Sequence, residues 1–260
     1  NKLSNASAGV IKFEATGDYT LTAKTERATT DLKSILGEWT NVVYKKVGDK
    51  YVFTGPFKIK ALKAQSEVTL EPNENYPDAS ERPATVKIKA FKDINSLKLA
   101  YESGEVDLAF GLTGEIAKEL KDKKKNVIDF DAAYQYYTFL NLENDILKDP
   151  AVREAIDKGI DREAIKKTLD GGTIPTGLFA GYNSFDAKIA ATYNVNEAKA
   201  LLDNSGWKLE DGAKYRTKDG KELTLSIKTY SSKPDLPKVS QTIASELEKL
   251  GIKVTVEVVD

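Results

Sequence analysis

Apolar and polar residues alternate over the first part of the chain, as they do in short β-strands with one buried face. Residues 11–14 (IKFE) and 19–23 (YTLTA) both follow this pattern, and Gly17 and Asp18 between them favour a turn. The pattern predicts an antiparallel hairpin here. We expect the whole of residues 1–53 to be rich in β-structure.

Strand and helix patterns then alternate along the chain. The predicted order is strand 85–91, helix 94–102, strand 106–110, helix 115–120 and strand 126–130. Alternation of this kind is typical of an α/β layered domain whose strands pair in parallel. We therefore expect parallel pairing among these three strands.

The second half begins with a run of aromatic and β-branched residues at 134–141 (YQYYTFLN), which predicts another strand. Pro150 then starts a helix whose apolar stripe contains Val152, Ala155 and Ile156. The remaining pattern predicts helices at 163–169, 197–204 and 236–250 and a last strand at 252–259, with Asn196 as the cap of the second of these helices.

Composition narrows the possible functions. The chain has 39 Lys+Arg and 40 Asp+Glu, a formal net charge of −1, which offers no case for nucleic acid or an anionic membrane surface as partner. It contains no Cys, His or Met. The usual nucleophile–base pairs and the commonest metal ligands are therefore missing, and we expect no enzyme activity, no metal site and no cofactor. The lack of Met also indicates a start inside a longer or processed chain.

An ordered set of short blocks resembles the family-5 bacterial extracellular solute-binding proteins, the oligopeptide-, dipeptide- and nickel-binding components of ABC importers. The blocks are 54–58 (TGPFK), 70–73 (LEPN), 99–109 (LAYESGEVDLA), 137–141 (YTFLN), 149–156 (DPAVREAI), 159–165 (GIDREAI), 198–202 (AKALL), 206–207 (GW) and 250–254 (LGIKV). They keep the order and the approximate spacing of that family from about residue 10 onward.

The resemblance implies an α/β fold of the periplasmic-binding-protein-like type II class, with two lobes that close on a ligand, represented by an incomplete chain. It implies that residues 1–53 lead into lobe I and that 54–133 form the α/β portion of lobe I. Residues 134–260 would be the first part of lobe II, with 134–141 as the strand that crosses between the lobes. A return crossover would lie after Asp260.

The tyrosine cluster at the start of the crossover segment is the first candidate ligand site. In a strand, Tyr134 and Tyr136 share one face and Tyr137 lies on the other. We expect one face to pack in the core and the other to offer rings and hydroxyls to an amphipathic ligand.

Three further places are candidates for ligand contact. Gly111, Leu112 and Thr113 follow a predicted strand and precede a helix, and ligands of open α/β sheets bind at the carboxyl ends of strands. A plain turn with Thr113 as helix cap explains the same residues. Trp39 is a second candidate, with core packing as its alternative.

The third candidate is the long loop 172–186, which contains Phe179, Tyr182 and Asn183. Such a loop either covers a ligand or packs as ordinary surface.

The resemblance implies a monomeric, extracytoplasmic binding protein, periplasmic or lipid-anchored, that hands its ligand to ABC permease subunits. A peptide is the leading ligand, because an extended peptide is held largely through its backbone. Nickel, as a pre-formed chelate, is the alternative within the family, because the chelator then supplies the metal ligands that this chain lacks. A secreted hydrolase with two facing carboxylates and a scaffold or adhesion module remain as alternatives of other classes.

Overall fold

The computed structural model describes residues 2–130, 134–181, 186, 188–189 and 191–259. The chain divides into two compact units, and the division falls between Lys92 and Asp93. Each unit has its own elements and its own buried residues.

The first unit is built from antiparallel hairpins, as its alternating sequence predicts. Its elements are β1 (Lys2–Asn5), β2 (Gly9–Gly17), β3 (Thr20–Thr25), α1 (Leu32–Gly37), β4 (Tyr44–Val47), β5 (Lys50–Phe53), β6 (Phe57–Lys63), β7 (Glu67–Pro72), a 3-10 turn at Ala79–Glu81 and β8 (Val86–Lys89). Strands β1, β2 and β3 form one sheet, β4 and β5 a separate hairpin, and β6, β7 and β8 a second three-stranded sheet. Ala8, Ile11 and Ile35 form a small buried cluster under the first sheet.

The second unit is mostly helical and contains the larger core. Its elements are α2 (Ile94–Glu102), α3 (Gly114–Asp122), α4 (Pro150–Gly159), α5 (Arg162–Thr168), α6 (Val195–Asn204), β9 (Thr217–Lys218), β10 (Lys221–Glu222), β11 (Thr224–Tyr230), α7 (Asp235–Glu248) and β12 (Lys253–Val259). Strands β11 and β12 pair in parallel, with α7 as the helix that connects them.

Local sequence signals explain the helices of this core. The Asp149 carboxylate accepts a hydrogen bond from the Ala151 N–H at 2.9 Å and so caps α4, whose first residue is Pro150. The predicted stripe of α4 is confirmed, since Val152, Ala155 and Ile156 are all buried. They pack with residues of α6 and α7 in one apolar cluster. Burying this cluster is the main stabilising contribution in the unit.

Asn194, not Asn196, caps α6, so the predicted cap lies two residues too far along the chain. The Asn194 side chain accepts a hydrogen bond from the Glu197 N–H at 3.0 Å. Both asparagines satisfy the sequence signal for a cap, and backbone geometry decides between them.

The predicted parallel strands between residues 85 and 130 are wrong. Strand β8 forms near the predicted place, but it pairs antiparallel with β7. Residues 106–110 and 126–130 form neither helix nor strand and belong to no ladder that the structure describes. Phe110 and Phe130 stack on each other with ring centroids 6.1 Å apart, yet both rings are exposed. A strand is stabilised by its partner, and neither segment has one in this part of the chain.

Residues 134–141 likewise belong to no ladder in the part of the chain that the structure describes. Their predicted role as a crossover between two lobes stays a prediction. In the described residues, no helix is long and apolar enough to span a bilayer.

Candidate functional site

The tyrosine segment lies beside the first turn of α7. The Tyr136 hydroxyl donates a hydrogen bond to the Asp235 carboxylate at 3.4 Å, although the two residues are 99 positions apart. The ammonium group of Lys233 lies 5.9 Å from the centroid of the Tyr134 ring, which is within the range of a cation–π contact. Two tyrosines and two opposite charges therefore meet at one helix end.

The two rings differ in their environment. Tyr134 is 88% exposed, whereas Tyr136 is 44% exposed. Burial raises the pKa of the Tyr136 hydroxyl, and the neighbouring Asp235 charge raises it further. The hydroxyl is therefore protonated at neutral pH, when it both donates and accepts hydrogen bonds.

The opposite face of the segment is also open. Tyr137 and Phe139 meet edge to face with centroids 5.0 Å apart, and both rings are exposed. The expected division into a core face and a ligand face is wrong, because no tyrosine of this segment is buried. Leu140 instead packs against the core of the second unit and anchors the segment.

The predicted loop at residues 111–113 leads into α3. Gly111 has a backbone φ of +77°, a conformation that glycine adopts without strain. Leu112 is half-buried. The Thr113 hydroxyl accepts a hydrogen bond from the Ile116 N–H at 3.4 Å, so its predicted role as helix cap is confirmed.

The start of α3 contacts the start of α7. Glu115 forms an ion pair with Lys238, with 2.5 Å between Oε2 and Nζ. The loop 111–113 is thereby tied to the same helix end that Tyr136 contacts. We call the group of Tyr134, Tyr136, Lys233 and Asp235 the α7 corner.

Trp39 and Phe179 are both exposed, and neither belongs to the α7 corner. Trp39 is 90% exposed and belongs to the first unit, so its alternative as a core residue is wrong. Phe179 belongs to a loop organised by Asp186, whose carboxylate accepts hydrogen bonds from the Thr176 hydroxyl at 2.7 Å and the Gly181 N–H at 3.2 Å. These bonds hold the pKa of Asp186 below its usual range. Tyr182 and Asn183 lie outside the described residues.

A cavity lies next to the loop that contains Phe179. This cavity of about 300 Å³ lies between the end of α4 and the loop, and Ile160, Arg162, Pro175 and Tyr193 contribute to its lining. Ile174, Pro175 and Thr176 of the candidate loop 172–186 line it, whereas Phe179 and the predicted tyrosines do not.

The described residues contain no group of three or more His, Cys, Asp or Glu side chains arranged to hold a metal ion. The α7 corner offers two aromatic rings with their hydroxyls, a carboxylate and an ammonium group. This chemistry suits a ligand with amide groups and charged ends.

Sequence reasoning missed the charged half of the α7 corner. Lys233 and Asp235 stand at the start of a predicted helix, where an acidic residue is common for local reasons. Their position next to the tyrosines depends on contacts between residues about a hundred positions apart, and no short-range pattern reports such contacts.

Comparison with known proteins agrees with the family resemblance seen in the sequence. A family model described as "Bacterial extracellular solute-binding proteins, family 5 Middle" matches residues 1–260. The oligopeptide-binding protein AppA of Bacillus subtilis is 29% identical over 219 residues, which are 81% of this chain and 40% of that protein. This chain therefore spans well under two thirds of the length of that relative.

Solved structures agree in fold. The AppA structure from Bacillus subtilis, in complex with a nonapeptide, has a TM-score of 0.66 and 25% identity, covering 96% of this chain and 54% of that one. NikA from Brucella suis, in complex with Fe(III)-EDTA, has a TM-score of 0.75 and 21% identity, with the same two coverages. The fold is thus of the two-lobed periplasmic solute-binding type, and the fold class predicted from sequence is confirmed.

Proposed function

The chain belongs to the family-5 bacterial extracellular solute-binding proteins, and from that membership we propose that it serves in the substrate-binding component of an ABC importer. The component captures a peptide in a cleft between two lobes and delivers it to the membrane permease. The resemblance noted in the sequence is confirmed by the family match over residues 1–260.

The α7 corner is the observation that supports a peptide ligand. Tyr136 provides a hydroxyl that bonds amide groups, and the exposed Tyr134 ring provides an apolar face. Lys233 and Asp235 place opposite charges beside these rings. A peptide needs hydrogen bonds along its backbone and neutralisation of its ends, and this group of side chains supplies both.

A peptide is also favoured over a bare nickel ion by the chemistry of the chain, whereas a pre-formed chelate brings its own metal ligands. The 260 residues contain no His and no Cys, so carboxylates and carbonyls are the available ligands, and these suit harder ions than nickel. The relative AppA is named for oligopeptide binding. The likeness to NikA, at 21% identity, supports the fold and not the ligand.

The mode of action that follows is closure. A ligand enters between open lobes, the lobes move together, and the permease recognises the closed form. The family consists of binding proteins, and we propose that this protein too binds its ligand without chemical change. It acts outside the cytoplasm as a monomer, free in the periplasm or held by a lipid anchor on the outer face of the cytoplasmic membrane.

Native mass spectrometry of the intact protein, purified gently from its host, tests the proposal. We expect a heterogeneous set of short peptides, released on denaturation. A single bound mass containing nickel would replace the peptide proposal with the chelate one. A protein that stays empty when offered a peptide library and nickel chelates would refute both, and turnover of a bound peptide would point to a hydrolase.

A matched pair of variants tests the site itself. Tyr136→Phe removes the hydroxyl bonded to Asp235, and we expect it to weaken peptide binding about fivefold, the typical effect of one hydrogen bond. Tyr19→Phe removes the hydroxyl of a fully exposed tyrosine in the first unit and should leave affinity unchanged. Equal affinities for both variants and the wild type would exclude the α7 corner from the site.

A further inference from the structure

Two parts of the second unit meet at an unusually close backbone contact. Residues 93–130 contain α2 and α3, and residues 134–259 contain the large core. At the first residue of α3, a side chain on Gly114 would place its Cβ 2.3 Å from the Leu169 carbonyl oxygen and 3.0 Å from that of Asp170. Both carbonyls lie at the end of α5. Any larger residue at position 114 forces the two parts away from each other.

An ion pair stands next to this contact. The Glu115 carboxylate and the Lys238 ammonium are 2.5 Å apart and join the first turns of α3 and α7. The hydrogen bond from Lys238 lowers the pKa of Glu115, and Glu115 raises the pKa of Lys238. Asp235 and Asp170 add further negative charge around the same lysine. The attraction therefore acts across the boundary between the two parts.

Ion pairs link helices α2 and α3, and we take the two helices to move together. Lys98 pairs with Glu119, and the Lys123 ammonium lies 2.7 Å from Glu102 and 2.8 Å from Glu119. Ile116 and Leu120 are buried on the inner face of α3. A displacement at Glu115 is therefore transmitted to the whole helix pair and to the loop 111–113 that precedes it.

We propose that Gly114, Glu115 and Lys238 form a latch that positions the loop 111–113 against the α7 corner and holds the ligand-bound arrangement. This inference rests on the proposed function. Glycine permits the close approach, and the ion pair stabilises it once it has formed. In this proposal the latch forms only in the closed arrangement, so that each of its members shifts the equilibrium between open and closed forms. These are positioning residues, since they act through the walls of the site.

The variant Gly114→Ala distinguishes an effect on peptide affinity from an effect on folding stability. Gly114 is helical and alanine is the better helix former, so the variant is expected to keep or raise the thermal midpoint of the ligand-free protein. Its affinity for a peptide released from the wild-type protein should fall about tenfold, the effect of forced overpacking. Gly171→Ala is the control, because a Cβ there meets nothing within 4 Å. Equal affinity in both variants would overturn the proposal.

Charge exchange tests the ion pair. Glu115→Lys should weaken peptide binding and speed peptide release, because two ammonium groups then face each other. The double variant Glu115→Lys, Lys238→Glu should recover only part of the lost affinity, because Asp235 and Asp170 lie around position 238 and repel a carboxylate there. Failure of the double variant to recover would exclude a direct role for the pair.

Cysteine trapping measures closure directly, and these 260 residues contain no native cysteine to interfere. We expect saturating peptide to raise about tenfold the rate at which a short bis-maleimide cross-links the two thiols of Glu115→Cys, Lys238→Cys, as it shifts the protein to the closed form. A bifunctional reagent is used because a Lys–Glu ion pair spans more than the Cβ separation that a direct disulfide allows. The control pair is Lys58→Cys, Glu74→Cys, taken from an ion pair of 2.7 Å in the first unit, whose rate should not respond to peptide.

The two possible failures are distinguishable in this assay. If peptides bind but the 115–238 rate is insensitive to them, the latch is refuted and the binding function stands. If no peptide binds, the cross-linking rates of the two cysteine pairs without ligand still test the latch. If the cysteines at positions 115 and 238 react as fast as the control pair, the contact between them is permanent and the latch is refuted. If they react clearly more slowly, the contact opens and closes, as the latch requires.

Discussion

Replacing Arg216 by methionine tests how much the hydrogen bonds of its buried guanidinium stabilise the second unit. Arg216 is 2% exposed. Its guanidinium donates to the Leu250 carbonyl at 2.7 Å, to the Trp207 carbonyl at 2.7 Å and to the Asp203 carboxylate at 2.5 Å. Methionine keeps an unbranched stem of similar volume and removes all three donors.

The magnitude follows from the partners that are left behind. Removing one member of a buried ion pair costs about 3–5 kcal/mol, but the Asp203 side chain is 44% exposed and regains water, which lowers this figure. The two carbonyls remain in the core without a donor, and an unsatisfied buried group costs about 1–3 kcal/mol. We expect a loss of about 3 kcal/mol of unfolding free energy, or about 10 °C in thermal midpoint for a unit of this size.

Urea unfolding followed by circular dichroism measures the loss, with Lys214→Met as the matched control. Lys214 is two residues away and largely exposed, with its ammonium 3.7 Å from Glu248, so its replacement should leave the midpoint unchanged. A loss below about 1 kcal/mol for Arg216→Met, with an unchanged urea slope, would refute the reasoning. It would mean that the guanidinium contributes no more than apolar packing at this position.

Two further predictions concern packing and pH. Leu202 is fully buried in the core of α4, α6 and α7, so Leu202→Ala should cost about 2–5 kcal/mol in urea unfolding, and Leu201→Ala, at a half-buried neighbouring position, clearly less. Hydrogen bonds from Lys123 and Lys98 lower the pKa of Glu119 from its usual 4.5 to about 2. Because the folded value is the lower one, the stabilising link between α2 and α3 is complete above pH 4.5 and is lost as the pH falls towards 2. Side-chain carboxyl NMR shifts of Glu119 across this range check the prediction, and a midpoint near 4.5 would contradict it.

Much of the local structure could be predicted from the sequence. The helix at 94–102 forms at the predicted residues, Thr113 caps α3, and the stripe Val152, Ala155 and Ile156 is buried as expected. These features depend on contacts within one or two turns of chain, which the order of residues itself specifies.

The candidate site was predictable in part. The tyrosines and the loop 111–113 stand out as candidates in the sequence, because aromatic residues and a turn before a helix carry a local signal. Asp235 was missed as the partner of Tyr136, and so was the pairing of Glu115 with Lys238, which are 123 positions apart. The latch residue Gly114 has no distinguishing pattern either, since its role comes from two carbonyls of α5.

The family, most of the helices and the hairpins of the first unit follow from the order of residues alone, because each depends on residues that are close together along the chain. The cap of α6, the pairing of β8, the charges that meet at the α7 corner and the burial of Arg216 follow only from the assembled fold. Val86–Lys89 has the same alternation in either pairing direction, and the position of β7 beside it made the pairing antiparallel. Strand pairing and ion pairing take their free energy from a distant partner, so they follow from the assembled fold rather than from any single segment.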